Sequence, residues 1–464
     1  MDLKIITGQV TGLYDRVMER NIIDRFWHKI GRDKAAEPVD INRIDWLIAA
    51  VFGFIGICIA LYGFSLTSHE VGLLEYKNIW FQADIARVID NMTNRGGSHW
   101  RTSVHPITSI LLYPIGAFLT ALGLSPTQAA RMVVIFFCAL NGGGIFLVLR
   151  QVRLPRTPAV IFTGLFLSSA AVIFWSSVVE LYPIACTSLL PALFLMAPGN
   201  KGRRRWWIIA SAFTLSITIT NWTAGLIATF VRWRLKTFLA ISAVVLIIVL
   251  ALSIVQFFTF KDARIFIDPH GLKWDAVSFS EPVMEKRGQL HEGWNPLGNV
   301  EVLYIASIVA PPARVANQGG ELIETNQFSK LTKSTYTELI ATIAWLGLLA
   351  LGIWGAIKNQ QTHVFSIGLG LMLLANGLLH SVYGEVTFLY AMHVIPMLTV
   401  LAAMSWFSPL KYAGVVLALV IVIAGGGNNI AQFQQSAHLA GKIAVMPGVK
   451  QMQGTDPVSG PRMN

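Results

Sequence analysis

A chain of 464 residues that is 54% hydrophobic, only 13% charged and has a mean hydropathy of +0.57 is not an ordinary soluble domain, where roughly a quarter of residues carry charge. Apolar runs of about 20 residues recur with polar punctuation between them, the length a helix needs to cross a bilayer with its backbone bonded internally. The expected fold is therefore all-α, a polytopic bundle of transmembrane helices. The net charge of +11 does not point to nucleic acid, because the basic residues fall in short clusters between apolar runs, where they set topology.

Residues 1–45 hold eight Lys/Arg, eight acids and no long apolar core. They read as a cytoplasmic amphipathic segment rather than a signal peptide, with VMERNIIDRFWHKI on the membrane surface. A membrane unit over 46–425 follows, with spans expected at 46–66, 127–149, 158–179, 182–197, 237–258, 338–357, 364–381, 387–406 and 411–425. Were 107–123 to cross as well, RQVRLPR (150–156) and KGRRR (201–205) would both face outward. The positive-inside rule therefore lays 107–123 along the outer face, within an external loop 67–125. WWIIASAFTLSITITNWTAGLIATFVRWRLK is basic at both ends and polar at its centre. It is expected to form a tight hairpin with Asn221 at its outer tip. Residues 261–335, with eight Lys/Arg against nine Asp/Glu, form a large external loop. These assignments give eleven crossings and an external tail over 426–464. Cys58, Cys138 and Cys186 lie inside apolar runs with neither disulfide nor metal-ligand spacing.

This topology gathers the reactive side chains on one face. The stretch NIWFQADIARVIDNMTNRGGSHWRTSVHP (78–106) supplies Asp84, His99, Arg101 and His105, and Glu180, Asn221 and Glu385 fall at the same outer boundary. Ionisable groups at membrane depth are costly and point to function, and neighbouring carboxylates can divide base and charge-stabilising work. Each also has a bland use. Asp84 is a solvated loop acid, Glu180 a helix cap, His105 a residue shaping the turn before Pro106, and Glu385 a partner for a nearby cation. Arg87, His99 and Arg101 suit a phosphate or lipid headgroup, or anchor helices at the interface. Gly142–Gly144 fit close helix packing better than phosphate binding.

The order of a first span, an acid in FQADIARV, HPITSILLYPIGAFLTALGLS, AARMVVIFFCALNGGGIFLVLR and FWSSVVELYPIACTSLL resembles the GT-C integral membrane glycosyltransferases. The likeness covers roughly residues 46–200, with weaker agreement to about 400. It implies a sugar donor carried on polyprenyl phosphate, a hydroxyl acceptor on a glycan, lipid or protein, and transfer with inversion on the non-cytoplasmic face of a membrane, the inner membrane in a bacterium. Asp84 matches the catalytic acid of the first external loop, and Glu180 the acid that ends the span after the basic cytoplasmic loop. Glu180 and Glu385 would position the acceptor, or bind a divalent cation, which some members need and others do not. Many members open a late span with an Arg-Tyr pair that helps hold the donor phosphate. Here EVTFLYAMHVIPML keeps Tyr390 and Pro396 but has Leu389 in place of the arginine. That leaves His393, Arg101 and Arg264 as substitutes. The rival readings are a transporter or flippase of lipid-linked sugars and an O-antigen ligase or polymerase.

Overall fold

The computed structural model describes residues 39–67, 78–200, 202–270, 273, 277, 296–318, 321–325, 335–384 and 386–445. Most of them are helical. In chain order the elements are α1 (Arg43–Leu66), α2 (Ile85–Thr93), α3 (Thr108–Ala121), α4 (Pro126–Gln151), α5 (Arg156–Ser168), α6 (Ala170–Trp175), α7 (Tyr182–Met196), α8 (Arg204–Ile217), α9 (Ile219–Arg232) and α10 (Leu235–Thr259). There follow α11 (Pro296–Glu301), the strands β1 (Arg314–Gln318) and β2 (Glu321–Thr325), α12 (Tyr336–Lys358), α13 (His363–His380), α14 (Ala391–Ala403) and α15 (Lys411–Ala444). The antiparallel β1–β2 hairpin pairs Arg314 with Thr325 and is a small departure from the all-α expectation. Among the described residues seven helices are long and apolar enough to cross a membrane: α1, α4, α10, α12, Gln360–His380, Thr387–Phe407 and α15. α3 and α7 are apolar but shorter. α10 leaves Leu239, Ile247, Val255 and Phe258 uncovered, an apolar face suited to lipid.

α1 and α4 start with capping boxes. The Asn42 side chain accepts from the Ile44 and Asp45 amides while Asp45 accepts from Asn42, and Ser125 and Gln128 repeat the arrangement ahead of Pro126. The two helices then pack backbone to backbone. A Cβ at Gly56 would lie 2.4 Å from the Cys138 carbonyl oxygen, and one at Gly142 would lie 2.3 Å from that of Phe52. The glycine run in α4 is thus a helix-packing device, as its mid-helix position suggests.

The bundle has two chemically distinct ends. At one, buried Asp45 accepts from Arg150 Nε at 2.9 Å and Arg156 Nε at 3.0 Å. Arg153 reaches Gln361 at 3.3 Å, the Arg204 guanidinium lies 5.8 Å over the Trp233 ring, and Arg232 donates to the Ala197 carbonyl at 2.5 Å. At the opposite end Thr67 Oγ1 donates to the Ser177 carbonyl at 3.0 Å, the His99 amide to Lys261 at 3.1 Å and the Ile107 amide to Ser216 at 3.2 Å. α3 stays at this second end. It starts against Gln256, whose Oε1 accepts from the Ser109 amide at 3.1 Å, and it hands over to the first turns of α4, where Arg131 lies 5.0 Å over the Phe64 ring.

α8 and α9 form the expected hairpin, turning at Thr218, with Gly225 close against Ser211 and Thr214. The expected span 158–179 is not one helix. It breaks at Ser169 (ψ 150°), and the freed backbone groups are taken up by distant residues. The Ala170 and Ala171 amides donate to Ile308 and Ser307 at 3.1 and 2.9 Å, and Asn429 Nδ2 donates to the Ser168 carbonyl at 2.8 Å. The last span does not stop at 425 either. It continues to Ala444, because Asn428, Asn429, Gln432 and Ser436 are buried rather than solvated. The expected N-terminal amphipathic segment up to residue 38, residues 278–295 of the expected loop 261–335 and residues 446–464 lie outside the described residues.

Candidate active site

The stretch after α1 enters the bundle through an aromatic anchor. Trp80 and Phe81 are fully buried, with Phe81 ring centroids 5.7 Å from Phe174, 6.3 Å from Trp175 and 5.2 Å from Phe388. Phe81 and Gln82 both adopt left-handed backbone angles, φ 49° and 64°. Two consecutive non-glycine residues in that region are strained and persist only where their surroundings hold them. The turn delivers Asp84 to the start of α2.

Asp84 and Glu180 meet there. The Asp84 amide donates to Glu180 Oε1 at 2.6 Å, and the Leu181 amide donates to Oε2 at 2.8 Å. Glu180 thus binds the amide of the residue before α7 and clamps the backbone of Asp84, without capping the helix, which has no side-chain cap. The Asp84 carboxylate, 34% exposed, accepts from Arg87 at 2.5 Å and from Asn78 Nδ2 at 3.2 Å. Burial raises its pKa, but the charges of Arg87 and Arg101 outweigh that and hold it below the usual range. Glu180 goes the other way. Burial, reinforced by the Asp84 charge, pushes it from 4.5 to about 7. Near neutral pH Asp84 is ionised while Glu180 titrates, so the two neighbouring carboxyls differ in charge state.

A cleft opens beside this pair. Arg87 and Asn91 of α2, Arg101 and Thr102 of the turn Trp100–Ser103, and His105 line it, with α3 closing the floor through Thr108, Ser109 and Leu112. His105 Nδ1 donates to the Ile217 carbonyl at 2.8 Å, which leaves Nε2 as the acceptor atom. Burial and the two guanidiniums push the ring to about 3, so it is neutral at physiological pH. Arg87 Nε and Asn91 Oδ1 are buried and have no hydrogen-bond partner among the described residues.

On the bundle side, His393 Nδ1 donates to Asn221 Oδ1 at 2.6 Å, and Asn221 Nδ2 donates to the Ala185 carbonyl and to Ser188 Oγ. Asn221 is therefore an interior brace in the first turn of α9 rather than an exposed hairpin tip. The Tyr182 ring lies 5.9 Å from His393, and Tyr390 stacks on His380 at 4.1 Å. The charge on Asp84 is felt at Tyr182, and Tyr390 neighbours Tyr182 in turn. Tyr182, His380 and Asn91 are missing from the candidates drawn from sequence. The first two carried a readable signal, since Tyr182 follows Glu180 by two residues and His380 ends an apolar run.

Asp84, Glu180, Arg101 and His105 are thus brought together, with Tyr390, His393 and Asn221 adjoining. His99 is not free to act. It is fully buried, donating from Nε2 to the Asn94 carbonyl at 3.1 Å and accepting at Nδ1 from Ser109 at 2.7 Å. Arg264 meets the site through its backbone, bonded both ways to Thr102 Oγ1 at 2.6 and 3.0 Å. Glu385 lies outside the described residues. Among the described residues no three of His, Cys, Asp and Glu are grouped to hold a metal ion. No protein-family model, curated protein or solved structure matches the chain.

Proposed function

We propose that the protein is a membrane glycosyltransferase of the GT-C type, transferring a sugar from a polyprenyl-phosphate donor to a hydroxyl acceptor on the non-cytoplasmic side. The observation that carries this reading is the Asp84–Glu180 pair, with one carboxylate ionised and accessible beside a cleft lined by two arginines. In this reading the basic end of the bundle faces the cytoplasm, and the chain passes eleven times between the ends. Support comes from Asp45, Arg150, Arg153, Arg156, Arg204 and Arg232 gathering at the end opposite the site.

Asp84 takes the proton of the acceptor hydroxyl as its oxygen bonds to the anomeric carbon. The carbon–oxygen bond to phosphate breaks, polyprenyl phosphate departs with the bonding pair, and Asp84 later returns the proton to solvent. Base assistance of this kind supplies about 10²–10⁴-fold in rate. Arg101 and His105 Nε2 face the phosphate and the sugar, taking the place left by Leu389. A transporter would use broken helices whose free backbone binds cargo near the midplane. The backbone freed at Ser169 is already spent on Ser307, Ile308 and Asn429.

The test is purified protein given a polyprenyl-phosphate sugar and candidate acceptors, with release of polyprenyl phosphate followed. Asp84→Asn keeps size but removes the proton acceptor, and should bind donor at least as tightly as the wild type while transfer falls at least about 10²-fold. Equal release by variant and wild type would remove Asp84 from the chemistry. Absence of any release by the wild type across all acceptors would remove the enzyme reading itself.

A further inference from the structure

The Asp84 carboxylate is committed to Arg87, in a 2.5 Å ion pair. A base held this way is weak, since the guanidinium stabilises the charge that the incoming proton must replace. Yet the same guanidinium lines the cleft, and its buried Nε–H has no acceptor among the described residues. A guanidinium has five donors in a fixed fork, enough to serve a carboxylate and a phosphate together. The charged and titratable groups facing this pair are Arg101, His105, Glu180 and Tyr182. Asp90, on the same helix, turns away and bonds Asn94 at 2.9 Å. With His105 neutral and Glu180 protonated, Arg87 and Arg101 outweigh Asp84 by one positive charge, and a phosphodiester carries one negative charge.

We propose that Arg87 couples donor loading to base strength: the donor's phosphodiester, seated in the cleft between Arg101 and Arg87, shares the Arg87 charge and so frees Asp84 to accept the acceptor's proton. The inference rests on the glycosyltransferase reading. It makes the empty site a weaker base than the loaded one.

The coupling is read in pH profiles. The acid limb of kcat/KM for donor reports Asp84 in the empty site, and the acid limb for acceptor at saturating donor reports it in the loaded site. In the wild type the second limb should lie higher by about 1 pH unit, the scale of one neighbouring charge. Arg87→Gln should merge the two limbs, and Arg87→Lys, which keeps the charge, should restore part of the gap. Coincident limbs in the wild type, a measurement that needs no variant, would overturn the coupling while leaving the transferase reading intact. A gap that survives Arg87→Gln would overturn it equally. Binding is followed separately by titrating vesicles carrying polyprenyl phosphate and, in parallel, inorganic phosphate. Arg101→Gln should weaken the lipid phosphate at least about 10-fold, and unchanged binding would remove the cleft as the phosphate seat. Saturation by inorganic phosphate alone, with no preference for the lipid, would overturn the donor assignment. Arg101-dependent lipid binding without any sugar transfer would sink the transferase reading, and the coupling with it.

Discussion

Glu180→Gln separates a positioning role from a catalytic one, and its cost can be worked from geometry. Both Glu180 oxygens accept backbone N–H groups, from Asp84 at 2.6 Å and from Leu181 at 2.8 Å. An amide keeps one of these bonds and turns its NH₂ toward the other N–H. One buried donor is then unsatisfied, which costs about 1–3 kcal/mol. The pH dependence has a defined sign. The folded-state pKa of Glu180 is raised from 4.5 to about 7, so the folded protein holds this proton more tightly than the unfolded chain. Its contribution to stability is complete below about pH 4.5 and is lost as pH rises through about 7, a total of roughly 3 kcal/mol. Glutamine does not titrate, so the variant should lose this slope as well. In detergent the wild type should show a midpoint that falls between pH 4.5 and pH 7 over and above the changes shared with the variant, and the variant should sit lower at pH 5. Transfer should fall through kcat, because a misplacement of Asp84 by about 1 Å costs on the order of 10²-fold. A variant with wild-type midpoint, slope and kcat would refute the clamp.

Gly384→Ala should damage the same site from the other side. Gly384 sits at φ +90°, and an added Cβ would lie 2.4 Å from Tyr390 Cε2, so the Tyr390 ring must leave His380. The strained backbone alone costs about 1–2 kcal/mol, visible as a lowered melting midpoint together with weakened donor binding. Asp45→Ala leaves Arg150 and Arg156 without their shared buried partner. It should destabilise by about 3 kcal/mol in chemical denaturation without changing KM. Single cysteines at residue 153, 203 or 234 of a cysteine-free variant should resist an impermeant thiol reagent in intact cells, while one at residue 262 should label. Labelling at 153 would reverse the orientation and dismantle the outer-face assignment.

The carboxylate pair was legible in the sequence because charge clusters and apolar runs fix which residues share an end of the bundle. Topology alone puts Asp84 and Glu180 at one boundary, while the clamp between them depends on the turn at Phe81 and Gln82. The break at Ser169 was not legible. Residues 158–179 read as one apolar run, and the groups that satisfy the break come from Ser307, Ile308 and Asn429, far along the chain. For the same reason Asn428 and Asn429 looked like the start of a solvated tail, when they are the side chains that hold the 307–310 segment in place, Asn428 donating to the Ala310 carbonyl at 2.8 Å.

Polar residues at the ends of apolar runs have two uses in a membrane protein, to do chemistry or to satisfy interrupted backbone, and a sequence gives both the same signature. His99 and His105 show the ambiguity within seven positions of each other. Hydrogen-bond accounting separates them. His99 has both ring nitrogens engaged, and Asn429 spends its amide on Ser168, Ile308 and Ala310, so each is consumed by the fold. His105 keeps Nε2 in hand, Arg87 keeps Nε–H, and Asp84 keeps an exposed edge. Burying donors and acceptors unmet is costly, and Arg87 Nε–H and Asn91 Oδ1, left so beside the cleft, fit the donor phosphate and sugar proposed above.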